Sequence, residues 1–216
     1  MTKKTIKAII VDDHQMFRNG IKSILEQEEW AQIIGEASNG QEFIELIQNI
    51  TPDIVLMDID MPIMNGIEAS EKAIEMKGDI NILVLSMYDD YSHYSRLVSA
   101  GVKGFISKSA GKTELEKGIL AVSKGECYFS SDLLRNIILE INKSKDHTDL
   151  DISLTSRELE ILKLICNGFA TNEIADKLCL SNKTIDNHRS KILQKTGVKN
   201  SVGLVIYAIK HKIVTF

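Results

Sequence analysis

The amino-acid sequence predicts an α/β domain on a doubly wound, five-stranded parallel sheet, followed by a small all-α domain of four helices. Three observations predict it. Through residue 125, short and nearly continuous apolar runs alternate with segments whose apolar residues recur at helical spacing. That is the pattern of a parallel sheet covered by helices on both faces. Beyond residue 151 no run reads as a strand. There Thr155-Ser156-Arg157-Glu158 forms a capping box, which opens a helix.

The elements follow in order. Residues 6–11 make the first strand, and 15–27 a helix with Phe17, Ile21, Ile24 and Leu25 on one face. Strand 32–37 precedes helix 40–50, which turns Phe43, Leu46 and Ile47 inward. Strand 53–57 precedes helix 66–76, and strand 80–85 precedes helix 90–100. Strand 103–106 precedes helix 112–123, and Gly101 and Gly125 stand where helices end on a left-handed residue. Residues 126–150 break the alternation: 131–142 read as one more helix, with Leu134, Ile137, Ile138 and Ile141 on one side, and 143–149 as a polar linker. The capping box opens a helix with Leu159, Leu162, Ile165 and Cys166 inward, ending near Gly168. Thr171 caps a short helix through 178, Cys179-Leu180 forms a tight turn, and Ser181 caps a longer helix, 182–195, closed by Gly197. A last helix covers 201–211. Short helix, tight turn and longer helix make a helix-turn-helix. The predicted organisation is thus 1–125, a connecting segment 126–150, and 151–216.

Composition narrows the class. With 44% hydrophobic and 26% charged residues the chain reads as a globular protein, and no apolar stretch is long enough to span a bilayer. The N-terminus runs into a strand without an apolar signal core. Cys127, Cys166 and Cys179 are odd in number and lack CxxC spacing, so they read as reduced thiols of a cytoplasmic protein. The net charge of -4 is unevenly spread: residues 1–125 carry -6, 126–150 carry -2, and 151–216 carry +4. A basic C-terminal third suits a polyanionic partner.

Function enters at the strand ends. In open α/β sheets ligands bind beyond the carboxyl ends of the strands. Asp12 and Asp13 end the first strand and Asp58 the third, so three carboxylates meet on one rim. Their mutual repulsion calls for a divalent cation, and hard oxygen ligands suit Mg2+. Ser86 and Lys108 end the fourth and fifth strands on the same rim. A carboxylate nucleophile, a cation, an ammonium and a hydroxyl support phosphoryl transfer onto Asp58. The other polar residues nearby have plainer readings. Asp60 is a solvated side chain with a usable backbone carbonyl, His14 a helix-start residue, and Asp89-Asp90 a cap. His93, His147 and His211 read as surface residues, and Met57, Met61, Met64 and Met87 as packing.

Asp12-Asp13, Asp58, Ser86 and Lys108, in this order and spacing, resemble the receiver domain of two-component response regulators. The resemblance covers about residues 5–125 and implies a flavodoxin-like strand order, 2-1-3-4-5. It implies that Asp58 is the phosphoacceptor, that Asp13 and Asp58 bind Mg2+ directly, that Asp12 acts through a water, and that the Asp60 carbonyl completes the site. The donor would be a phosphohistidine on a sensor kinase. Phe105 occupies the aromatic switch position, where many receivers carry Tyr, and Ser109 stands where many have Pro.

On the helix 182–195, Ile185, Ile192 and Thr196 share one face, while Lys183, Asn187, Ser190 and Gln194 lie opposite, flanked by Asp186 and Lys191. Those polar side chains suit base edges and phosphates. Leu154 to Glu158, Asn172-Glu173-Ile174-Ala175 and Ser181 to His188 resemble the LuxR-type helix-turn-helix, and the whole chain resembles a NarL/LuxR-type response regulator. The resemblance implies binding of double-stranded DNA as a homodimer formed on activation, with this helix in the major groove. Lys183, Thr184, Asn187, His188, Ser190, Lys191, Gln194 and Lys199 are the candidate DNA contacts. Leu204, Val205, Ala208 and Ile209 are candidates both for the dimer seam and for the core of their own domain. Asp186 stands where members often carry Lys, and Ser201 where an Arg is common.

Two competing classes have a discriminating feature each. Asp58-Ile59-Asp60 resembles the DxD motif of haloacid-dehalogenase-type phosphatases, but that motif is expected on the first strand, and here the third carries it, followed by Pro62. A phosphorylation-independent DNA binder would have a degenerate receiver, against which the five-residue set stands.

Overall fold

A computed structural model describes residues 5–87, 96–98, 100–129, 154–167, 169, 171–211 and 213–214. The chain divides into two compact units, Met1–Leu133 and Leu134–Phe216.

In the first unit β1 (Ile6–Val11), β3 (Ile54–Asp58) and β4 (Ile82–Ser86) are apolar and almost wholly buried, as strands covered on both faces must be. β2 (Ala31–Ala37), β5 (Gly104–Ser107) and a short β6 (Tyr128–Phe129) complete a parallel sheet in the order β2-β1-β3-β4-β5-β6. The predicted order is present, with six strands in place of five. The sixth was absorbed into the connecting segment because two residues carry no periodicity. It forms because Gly125, at φ 81°, turns the chain back, and Tyr128 N–H then donates to the Lys103 carbonyl at 2.9 Å.

The helices are α1 (Gln15–Glu26), α2 (Gly40–Asn49), α3 (Gly66–Lys77) and α4 (Lys112–Val122). Asn39 and Asn65 cap α2 and α3, accepting from Glu42 N–H at 3.0 Å and Glu68 N–H at 2.9 Å. On α1 the fully buried residues are Arg18, Ile21 and Leu25, whereas Phe17 and Ile24 are half-buried. The apolar stripe read from sequence was rotated, because an arginine is not expected inside unless it is paired. Of the predicted helix 90–100, only 96–98 and 100 fall among the described residues, and they are helical. The predicted helix 131–142, the linker 143–149, Asp89, Asp90, His93, His147 and Gly168 lie outside them.

The second unit contains α5 (Ser156–Cys166), α6 (Thr171–Leu178), α7 (Asn182–Thr196) and α8 (Ser201–Lys210). The capping box forms in both directions: Thr155 Oγ accepts from Glu158 N–H, and Glu158 Oε2 accepts from Thr155 N–H at 2.8 Å. Ser181 Oγ caps α7 from Thr184 N–H at 3.1 Å, and Gly197 ends it at φ 72°. Ile161, Leu162, Ile174, Ile185, Ile192, Leu204 and Ala208 make a core without solvent exposure. Leu204 and Ala208 are therefore interior residues of their own unit.

One close approach fixes the carboxyl rim of the sheet beside Asp58. Gly66 opens α3 directly against β3: its N–H donates to the Ile59 carbonyl at 2.8 Å, and a Cβ there would lie 1.8 Å from the Asp58 carbonyl oxygen. Gly66→Ala should therefore cost about 3 kcal/mol or more of stability in the first unit, read as a lower denaturant midpoint at unchanged slope.

Candidate functional site

Asp12 and Asp58 are buried at the carboxyl edge of the sheet, 1% and 4% exposed, while Asp13 beside them reaches solvent. Lys108 Nζ lies 2.7 Å from both Asp12 Oδ2 and Asp58 Oδ2. The approach to Asp12 is an ion contact without hydrogen-bond alignment, so Asp12 Oδ2 remains a buried oxygen with no hydrogen-bond donor. Asp58 Oδ1 accepts from Ile59 N–H at 2.8 Å. Burial pushes the Asp58 carboxyl above its ordinary pKa, and the Lys108 ammonium opposes that shift.

The sheet delivers these groups because neighbouring strands end in register. Val11 pairs with Met57, Asp58 with Leu85, and Ser86 with Ser107. Lys108 N–H donates to the Ser86 carbonyl at 2.8 Å, which carries the β4–β5 pairing into the site. Ser86 is itself buried at this rim, and the Lys108–Ser109 peptide bond is trans. Phe105 is 1% exposed and its ring lies 5.4 Å from that of Phe129 on β6.

Ligand atoms of Asp12, Asp13, His14 and Asp58 all lie within 4.8 Å of one another. With an unsatisfied buried carboxylate oxygen among them, this set fits a hard divalent cation such as Mg2+. The Asp60 side chain is exposed and outside the set, which leaves that residue its backbone carbonyl.

Several participants escaped the sequence reading. His14 starts α1, but its Nδ1 also lies 2.7 Å from Asp13 Oδ1. The Phe17 ring lies 4.7 Å beneath the Lys108 ammonium, a cation–π contact. Arg18 reaches back from α1 to the Asp12 carbonyl at 2.6 Å. The signal for both was present one helical turn beyond the acidic pair. Met57, Met61 and Met64 are packed as expected, but Met87 is 70% exposed. Together with Met16, Phe17, Ile24 and Ile106 it borders an apolar groove of about 470 Å³ next to Lys108.

In the second unit Ile185 and Ile192 anchor α7 in the core. Lys183, Asn187, Ser190, Lys191 and Gln194 are exposed along it, with Lys199 just beyond. Thr184 is half-buried and its hydroxyl pairs with that of Ser181 at 2.8 Å. His188 is half-buried and its Nδ1 is enclosed without a hydrogen-bond partner. His211, expected on the surface, is half-buried with its ring 4.2 Å from Tyr207. Arg189 ties three helices together, donating to Thr171 Oγ1 at 2.8 Å and to the Ser201 hydroxyl. Ser201, read as a departure from pattern, thus receives a guanidinium from α7. Lys195 Nζ reaches Glu158 Oε2 at 2.7 Å and joins the end of α7 to the start of α5.

Residues 8–120 match the model of the response regulator receiver domain, and residues 152–208 that of the bacterial regulatory proteins of the luxR family. The chain is a NarL/LuxR-type response regulator. Its full-length relatives include the response regulator GacA of Pseudomonas aeruginosa, 34% identical with 97% of this chain and 98% of that protein covered. The oxygen regulatory protein NreC of Staphylococcus aureus is 36% identical, with 98% and 100% covered. Among solved structures, RcsB of Salmonella typhimurium superposes with a TM-score of 0.60 at 27% identity, over 94% of this chain and 98% of that one. The RcsB–DNA complex gives 0.58 at 28% identity, over 96% and 99%. The regulator carries its acidic pocket in the receiver and its basic α7 face in the helix-turn-helix, and among the described residues no helix is long and apolar enough to cross a membrane.

Two pH-linked outcomes follow. Lys195 holds the Glu158 carboxyl down to a pKa of about 2 from its ordinary 4.5. A lowered native pKa gives stability that is present above the unfolded value and lost as pH falls through the folded one. The second unit should therefore lose roughly 1–3 kcal/mol between about pH 4.5 and 2, less than the full shift because Lys195 is 38% exposed. Glu158→Gln should flatten that part of the stability profile. Asp58 has the opposite sign: a raised native pKa stabilises below the unfolded value, and that contribution is lost as pH rises through the folded one. Asp58→Asn should thus raise the melting temperature of the metal-free protein at neutral pH; an unchanged or lower value would contradict the burial argument.

Proposed function

We propose that the regulator is switched by phosphorylation of Asp58. Its carboxylate oxygen attacks the phosphorus of a phosphohistidine on a sensor histidine kinase; the P–N bond breaks, the O–P bond of an acyl phosphate forms, and the imidazole leaves. Bound Mg2+ would supply positive charge that offsets repulsion between the carboxylate and the phosphoryl oxygens. Asp13 and Asp58 would hold it with the Asp60 carbonyl, and Asp12 through a water. The Lys108 ammonium, already 2.7 Å from Asp58, would pair with a phosphoryl oxygen, and the Ser86 hydroxyl would donate to another. The regulator would catalyse only this transfer and the later hydrolysis of its own acyl phosphate.

A phosphoryl group adds about 1.5–2 negative charges at neutral pH. Ser86 would turn toward it, and Phe105, buried against Phe129, would repack and carry the change along the sheet edge. Residues 1–125 would serve as the receiver, 126–150 as the connection, and 151–216 as the DNA-binding domain. The output would be homodimerisation and binding of double-stranded DNA in the cytoplasm. Lys183, Asn187, Ser190, Lys191 and Gln194 would meet the major groove, and Lys199 a phosphate. Thr184, paired to Ser181, and His188, with one nitrogen enclosed, would contribute at the margin of that contact. The observation that carries the reading is the Lys108 ammonium held between two buried carboxylates, one of whose oxygens, Asp12 Oδ2, has no hydrogen-bond donor.

The test incubates wild type and Asp58→Ala with Mg2+ and a small phosphodonor. Wild type should gain the mass of one phosphoryl group and shift toward dimer, and the variant should do neither. Labelling of both would move the nucleophile elsewhere. For the DNA arm, Lys191→Ala should weaken duplex binding across sequences and lower the slope of log affinity against log salt by about one.

A further inference from the structure

Arg18 is an unusual core residue: a guanidinium 8% exposed on α1. Its Nη1 donates to the Asp12 carbonyl at 2.6 Å. Its Nη2 donates to Gln15 Oε1, at the start of α1. Its Nε faces Glu36 Oε2, near the end of β2, at 3.4 Å. Glu36 is shared with Lys22 Nζ at 3.0 Å, and this lysine holds its carboxyl below the ordinary value. Arg18 therefore clamps three chain segments at one point, and that point is the peptide carrying Asp12 into Asp13.

The charge of the guanidinium does little for a cation site by itself. It is positive, and the carboxylate that pairs with it, Glu36, is shared with Lys22. What it fixes is position. The Asp12 carbonyl is turned back toward α1 by the guanidinium, which leaves the Asp12 and Asp13 side chains on the pocket side. Asp12 Oδ1 is further fixed by accepting from His14 N–H at 2.8 Å. Asp12 is thus pinned from behind through its carbonyl and from one side through Oδ1, while Oδ2 stays without a hydrogen-bond donor.

We infer that Arg18, acting with Glu36, is a positioning residue for the cation pocket: it holds the Asp12–Asp13 turn in ligating geometry without touching the ion. The inference rests on the reading of that pocket as a divalent-cation site. Outer-shell partners of metal ligands typically change metal affinity by about 10–100-fold when removed. Arg18→Ala should weaken cation binding within that range. Arg18→Lys, which keeps a charge but cannot fork to three acceptors, should recover only part of the loss. Glu36→Gln, on an exposed residue of β2, should leave the fold intact and weaken binding less than Arg18→Ala.

The test titrates Mn2+ as the probe ion into the full chain and follows free Mn2+ by electron paramagnetic resonance, with Mg2+ competition. Thermal melting in chelator is recorded for every variant. The expected result is a graded loss of Mn2+ affinity, Arg18→Ala worst and Arg18→Lys between it and wild type. In phosphodonor labelling, the Mg2+ concentration for half-maximal rate should rise while the rate at saturating Mg2+ stays near wild type. Wild-type affinity in a folded Arg18→Ala overturns the proposal and makes Arg18 a packing residue. If Arg18→Ala does not fold, Glu36→Gln decides: unchanged affinity there overturns it equally. Absence of Mn2+ binding by wild type removes the underlying cation reading, and the positioning role with it.

Discussion

Placing carboxylates almost out of reach of water is the constraint from which the rest of the receiver follows. Asp12 and Asp58 lie at the end of adjacent buried strands, and two such groups cannot both be ionised without nearby positive charge. Lys108 provides it from the fifth strand, 5% exposed and in contact with both. The Phe17 ring supports the ammonium through its face. Such an arrangement is poised rather than relaxed. The pocket retains the repulsion between its acids, and its groups are already held in place by the strands that carry them.

The helix-turn-helix solves a different problem with similar means. Its exposed helix has low apolar content, and only two of its residues, Ile185 and Ile192, are fully buried. Polar ties make up the difference. Arg189 links α7 to the starts of α6 and α8, and Lys195 links its end to the buried Glu158 on α5. These contacts fix the helix along its length, while Lys183, Asn187 and Lys191 on the opposite face are exposed and have no side-chain partner among the described residues. A capping residue is thereby also an anchor for the exposed helix.

Much of this was legible from residue order, and the reasons are physical. A strand buried on both faces has to be a continuous apolar run, so its end is marked by the first charged or polar residue: Asp12, Asp58 and Ser86 are such residues. Parallel pairing then brings ends together without further information. Capping residues were also readable, because Thr155 and Ser181 act on backbone groups within the next three residues. What remained hidden depends on contacts distant in sequence or on exceptions to burial rules. Arg18 occupies an interior position only because Asp12 and Glu36 satisfy it. Glu158 was readable as a cap, but its ion pair with Lys195 spans 37 positions. Ser201 stands where a basic residue is common, and the guanidinium that meets it there comes from Arg189 on another helix.

The two-residue sixth strand changes where the receiver ends as a physical object. The alternating pattern stops at Gly125, yet Tyr128 and Phe129 pair with Gly104 and Phe105, and the Phe129 ring covers Phe105. A fragment cut at the end of the pattern would leave β5 as an open edge with unpaired amides, and uncover an aromatic side chain that is now 1% exposed. Such a fragment would offer β5 to a second copy, whereas one carried a few residues further keeps β5 paired and ends the sheet on an edge strand of only two residues.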